Sequence, residues 1–384
     1  MTPIPPRTVS RVVFPPMRRL GLLAPFALAL GLSAAVPREP DASNAPPSQQ
    51  QATAPWVALL LTPPQGDATE LVFQQAGTDV LSPAAVTLPH VRGGTVKGAL
   101  LPQGRTVVAI ADVEAGRDPS WGAALFRLEE GHDPVRLADR VYTSTRPLVL
   151  ADGRVLVQRG RAGEEPPAES DSLRIDEITI DAVDPKRGSI TTLHAYSGYL
   201  AFLAGALDRE AFVYRVGPNG ADLVAIDVTT GALRTLVSSL LPFARDFSVD
   251  AQNRALVFTQ RDQRSSQIWA VERLDLATGT RTRLLTGPRM ALVPHALPGG
   301  RVALNPEGER GLTILSPNGR FTSLRPLGDG VDVVRDVSPD GKWAALLHTL
   351  PGQLPRAFVL SLDSQQPLPV HVKEGVRVEI AGVL

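Results

Sequence analysis

Four residues carry the clearest promise of chemistry in this chain of 384: Asp246, His295, Asp336 and Glu379. They are far apart in sequence, but each stands at an equivalent place in a recurring segment. Arg245-Asp246-Phe247-Ser248 and Arg335-Asp336-Val337-Ser338 are near copies, Pro294-His295-Ala296-Leu297 aligns with them, and Glu379 falls at the same place near the C-terminus. Three carboxylates and one imidazole brought together suit a divalent cation; oxygen ligands favour calcium, and the histidine admits zinc. An ion held there would acidify a bound water and open a route to metal-assisted hydrolysis. Carboxylates held close also repel, so a cation, the flanking Arg245 and Arg335, or retained protons must compensate them. The remaining copies put Ala99, Leu148 and Ala204 at this place. A slip of one residue in the alignment would present the alternate side chains instead.

Other chemistry finds little support. The chain has no cysteine, which removes disulfides, thiolate metal sites and cysteine nucleophiles. There is no G-x-S-x-G elbow, H-E-x-x-H pair, phosphate-binding P-loop or EF-hand loop. The six histidines, His90, His132, His194, His295, His348 and His371, are scattered singly. Basic and acidic residues balance at 39 each, so no net field favours nucleic acid or an anionic membrane surface. Only four Trp and four Tyr argue against a carbohydrate- or cell-wall-binding module, which would need aromatic platforms.

The candidate residues depend on a repeat to bring them together. From Trp56 onward the pattern is strand, Gly- or Asp-bearing turn, apolar strand, variable loop, third strand, second turn, and a Thr/Arg/Leu-rich fourth strand. Clear copies begin at Arg245 and Arg335, with others in Gly98–Leu137, Pro147–Leu193, Leu223–Leu236 and Pro294–Leu324. Gly77, Gly131, Gly188, Gly231, Gly279 and Gly319 mark the turns between third and fourth strands. Their spacing is on the scale of a four-stranded propeller blade, about 40–50 residues. Tight hairpins need positive φ, which glycine adopts without a steric cost. Tyr199 to Glu210 is Ala/Leu-rich and helical in composition; its place in the repeat makes it a strand. The first copy lacks its first strand, while Gly375 to Ala381 is left over at the end. Pairing the two would remove both exposed sheet edges.

The segment Ser338-Pro339-Asp340-Gly341-Lys342-Trp343 resembles the TolB-type, WD-like propeller repeat of exported bacterial proteins. That resemblance implies the fold and not an activity. The separate N-terminal domain of TolB has no counterpart, so a role in the Tol system does not carry over. Asp340 is followed directly by Gly341, which sets the motif apart from the Asp-box of sialidases.

The fold expected is all-β: a single propeller of about seven four-stranded blades, with six as the alternative. Its blades are expected near 56–93 plus 375–384, 94–145, 146–198, 199–242, 243–290, 291–329 and 330–374. Residues 1–35 read as a signal peptide: Arg7, Arg11, Arg18 and Arg19 precede an apolar run, Leu20 to Val36, with small residues before a cleavage point after Ala35. A retained membrane anchor is the alternative. Ala35 stands where a lipidated cysteine would be required, so acylation is excluded. Residues 36–55, rich in Pro, Ser and Gln, read as a disordered tether. The function expected is a periplasmic or secreted, monomeric, non-enzymatic propeller that binds a protein or peptide through one face. The alternatives are a lactonase-like, metal-assisted hydrolase and the carbohydrate-binding module. Among the loops, Asp112 to Trp121, Gly160 to Ser172 and Arg261 to Gln267 are the long connections, and Trp121 and Trp269 are either binding aromatics or packed between blades.

Overall fold

The computed structural model describes residues 54–113, 121–143, 145–162, 175–262, 265–287, 293–305 and 310–384. The signal peptide, nearly all of the tether, and the acidic stretch from Gly163 to Ser172 lie outside them. Apart from a single 3-10 turn at Pro298–Gly300, every regular element described is a β-strand. No helix among these residues is long and apolar enough to cross a membrane.

The strands pair antiparallel in chain order as four-stranded units. Val96–Leu100 opens one, followed by Thr106–Asp112, Ala123–Glu129 and Val135–Val141. The next unit begins at Leu148–Val149, and a single bridge, Val141 to Arg159, joins the two into an eight-stranded sheet. Four further sheets open at Leu200–Leu207, Arg245–Asp250, His295–Leu297 and Val331–Val337. The stretch with helical composition is thus strand: Leu200–Leu207 turns at Asp208 and Arg209 into Glu210–Gly217. In the remaining sheet Arg377–Val383 is the outermost member on one side and pairs antiparallel with Trp56–Thr62, Leu59 opposite Ile380 and Leu61 opposite Val378.

Apolar packing follows from the period of two along each strand. Trp56–Thr62 reads WVALLLT and is buried almost throughout because both faces are covered. Ala58 and Leu60 join the core shared with Val107 and Ala109 of the following unit. Val57, Leu59 and Leu61 point the other way, against Ala345, Leu347 and Val359. The same parity recurs down the chain: four of the clusters each span two successive units, and a fifth spans two with Trp121 added from the unit before. Phe212, Phe258 and Phe358 are completely buried in these layers, each stabilising the fold by about 1.5–3 kcal/mol. The fourth strands, such as Ile190–Ser197 and Leu233–Leu240, lie at the wet edge and alternate with polar residues.

Turn chemistry explains the glycine series. All six marked glycines have φ between 70° and 82°. At Gly231 the amide donates to Asp227 O (2.8 Å) and Asp227 N to Ala232 O (2.9 Å). The last unit makes the same turn without glycine: Gln365 N donates to Ser361 O (2.9 Å), and Gln365 sits at φ 59°. Ser338–Trp343 is likewise a self-contained turn, not a site. Ser338 Oγ donates to Asp340 Oδ1 (2.6 Å) and accepts from Trp343 N (3.0 Å), while Lys342 N caps Asp340 (3.1 Å).

Two outcomes follow in urea denaturation. Gln365→Gly should relieve the left-handed strain and gain up to about 1 kcal/mol. Gly231→Ala should lose about 1–2 kcal/mol, since its Cβ would also lie 2.9 Å from Leu193 O; the opposite signs would contradict this account of the turns. Deleting Gly375 to Leu384 removes Val378, Ile380 and Val383, all buried, and should cost at least about 3 kcal/mol. A truncated chain that melts like its parent would show that this strand adds nothing to the core.

Candidate functional site at the inner strands

The opening strand of each unit lies beside the opening strand of the next, and Arg377–Val383 lies beside both Val331–Val337 and Val96–Leu100. These strands have one paired side. Their other side carries backbone groups that no neighbouring strand satisfies, so side chains must meet them. The most extensive such contact is made by Arg146, just before Leu148–Val149. Its Nε and Nη2 donate to Gly98 O (3.2 and 2.9 Å), Nη1 donates to Arg335 O (3.0 Å), and Nη2 also reaches Ile380 O. The same guanidinium pairs with Glu379 Oε1 at 3.5 Å.

Around this fork stand three of the four residues singled out above. Glu379 is its ion-pair partner. Asp336 accepts the Val383 amide at 2.9 Å, and burial pushes its carboxyl pKa up against the opposing pull of that bond and of Arg146. His295 keeps part of its surface open, yet protein encloses it closely. Burial, with the nearby charges of Arg146 and Arg335, lowers its pKa to about 4. Lys97 is lowered too, by burial first, with Arg146 and Arg335 adding to it and Glu379 opposing. Asp246 is held separately: its Oδ2 lies 3.3 Å from Arg245 Nε and accepts from Thr259 Oγ1 at 3.0 Å. Among the described residues no three His, Asp or Glu side chains form a group that could hold a metal ion.

Backbone irregularities govern which side chains meet here. The register of Val331–Val337 shifts between Val334 and Asp336, leaving Arg335 as the extra residue of a bulge. A second shift lies between Arg245 and Ser248, where Asp246 has φ 55°. Sequence alignment on the first turns counts evenly spaced residues and misses both. It also misses Arg146, which precedes the strand used for alignment; its one visible signal is an arginine one or two residues before the aligned position, as at Arg245 and Arg335.

A second candidate is a cavity of about 390 Å³ lined by Trp121, Glu177, Ile178, Tyr196, Tyr199 and Leu200 among others. Trp121 is 8% exposed and stacks on Tyr142 with ring centroids 4.9 Å apart, so it packs in the core and forms the cavity wall. Trp269 is buried at 3% exposure, with Arg245 over its ring at 4.7 Å. Arg215 lies over both Tyr196 (5.5 Å) and Tyr199 (5.4 Å) while Asp222 holds its Nε at 2.8 Å. Tyr199 rests on Gly217, where a Cβ would come within 2.3 Å of its Cε1. Among the described residues the buried Tyr196 hydroxyl has no hydrogen-bond partner, and burial pushes its pKa up to about 12.

Replacing Arg146 with Met keeps the bulk of the side chain but leaves the carbonyls of Gly98, Arg335 and Ile380 and the Glu379 carboxylate unmet. The variant should lose about 3–5 kcal/mol in denaturant titration. A loss below about 1 kcal/mol would mean that water replaces the fork at no cost.

No protein-family model matches the chain, and no curated protein sequence does either. Solved structures do. Prolyl oligopeptidase B from Galerina marginata, bound to a 25mer macrocyclization substrate, superposes with a TM-score of 0.59 at 10% identity over 83% of this chain and 48% of that one. An oligogalacturonate lyase in complex with manganese gives 0.53 at 14% identity, over 77% of this chain and 83% of that one. TolB from Acinetobacter baumannii gives 0.46 at 15% identity, over 85% and 67%. The chain spans about half the length of the oligopeptidase. At these identities the likeness shows the fold alone: an all-β arrangement of four-stranded antiparallel sheets, as in a β-propeller.

Proposed function

We propose that this chain is an exported, seven-bladed β-propeller that binds a protein or peptide partner on one face. In this reading Arg377–Val383 completes the first blade and closes the ring. Its pairing with Trp56–Thr62 and the shared core between the last and first units support closure. The observation that carries the binding reading is the cavity at Trp121, Tyr196 and Tyr199. In antiparallel four-stranded units the second-to-third and fourth-to-first connections leave from the same end. The cavity is built from those connections. Exposed Tyr199, Leu200, Phe243, Leu327 and Leu354 also lie at that end, while Val80, Leu81, Val135, Ile190, Leu233 and Phe321 are exposed toward the opposite one, so it is the cavity and not apolar exposure that favours this end. Arg215 occupies the tyrosine faces and Glu177 pairs with Arg161 (3.1 Å). A neutral apolar segment whose carbonyl accepts from Tyr196 therefore suits the cavity best.

A metal-assisted hydrolase would need Asp246, His295, Asp336 and Glu379 to be available to one ion. Arg146 and Arg245 already engage two of the carboxylates, which makes the enzyme the weaker reading. Calorimetric titration of metal-stripped protein with calcium and with zinc should give no saturable heat; binding lost in Asp336→Asn would restore it. Peptides selected from a displayed random library on the wild-type protein should weaken at least tenfold, about 1.4 kcal/mol, against Tyr199→Ala. Selected peptides that bind the variant equally well would remove this face as the binding surface.

A further inference from the structure

We propose that the inner strands bind an oxyanion, the carboxylate or phosphate group of a ligand, between Arg335 and His295. The first ground is what each neighbouring charge already does. Glu379 is engaged by Arg146. Asp336 accepts from Val383 N. Arg146 directs its donors to three carbonyls and Glu379.

Arg335 differs from all of these. Its carbonyl is bonded, but among the described residues its guanidinium has neither a hydrogen-bond partner nor an ion pair, and its Nε is buried. The His295 ring likewise has no hydrogen-bond partner there, and its strand, His295–Leu297, lies beside Val331–Val337, which carries Arg335. Neither side chain finds an acceptor among the described residues. Both are only half-buried, so a ligand can reach them. A guanidinium presents parallel N–H groups that match the two oxygens of a carboxylate or phosphate. An imidazole, neutral at pH 7, adds one N–H donor. The Val334–Asp336 bulge is what turns Arg335 out of the strand's alternation and frees it for this role.

The experiment is an NMR titration of the full chain with inorganic phosphate and, separately, with acetate, ionic strength held constant with chloride. Saturable shifts of the His295 side-chain resonances are expected, and the anion that saturates at lower concentration identifies the group recognised. Arg335→Gln should weaken that binding at least tenfold. Arg335→Lys, which preserves the charge and guards against a folding defect, should weaken acetate more than phosphate. No saturable shift with either anion, or equal affinity in Arg335→Gln with an unchanged fold, overturns the proposal. Peptide binding at the Tyr199 face is read separately, so failure here leaves that reading standing.

Discussion

The constraint on which the rest of this structure depends is the unpaired side of the inner strands. A sheet that ends on an opening strand leaves a row of amides and carbonyls without a ladder partner, and burying them unmet is costly. The chain meets them with side chains sent from one unit to another. Gln158 accepts from Leu203 N (2.9 Å) and donates to Ala201 O (2.5 Å). Ser248 Oγ accepts from Ala296 N (2.9 Å), and Asn305 donates to Asp332 O. Asp336 takes Val383 N. Arg146 reaches three opening strands with one planar fork. These bonds fix how successive units sit against each other, which apolar layers alone, being non-directional, leave loosely specified.

The apolar layers supply the bulk of the stabilisation. Because strand parity sends alternate residues to opposite neighbours, each central strand belongs to two cores at once. Leu59 and Leu60 are adjacent in sequence and lie in different clusters. A change at either is felt across a different boundary. This is also why such strands read as unbroken apolar runs instead of the alternation of a half-exposed sheet.

Much of this fold is legible in the sequence because its signals are local. Positive φ at Gly77, Gly131, Gly188, Gly231, Gly279 and Gly319 is a property of one residue each. The leftover strand at the C-terminus is legible from a missing partner at Trp56. Gln365 hides the seventh such turn because the Ser361 bonds close it without the glycine that marks the other six. The site is less legible. Asp336, His295 and Glu379 form no group of their own; Arg146 pairs with Glu379 and its charge reaches the other two, and that reach depends on three-dimensional crossing and not on any spacing. The bulge at Arg335 then changes which side chain stands free. The aromatic cavity draws Trp121, Tyr196 and Tyr199 from three separate units, so no linear pattern marks it.

The pairing of Trp56–Thr62 with Arg377–Val383 sets an order on biosynthesis. Trp56–Thr62 emerges from the ribosome before every other strand described, and Arg377–Val383 follows only after all of them. Throughout synthesis an apolar segment, WVALLLT, waits with one edge open. Local hairpins such as Glu210–Gly217 with Gly220–Asp227 can form as soon as they emerge, but this contact cannot. The nascent chain therefore stays incompletely folded until Arg377–Val383 has emerged, a period in which holding chaperones have something to grip.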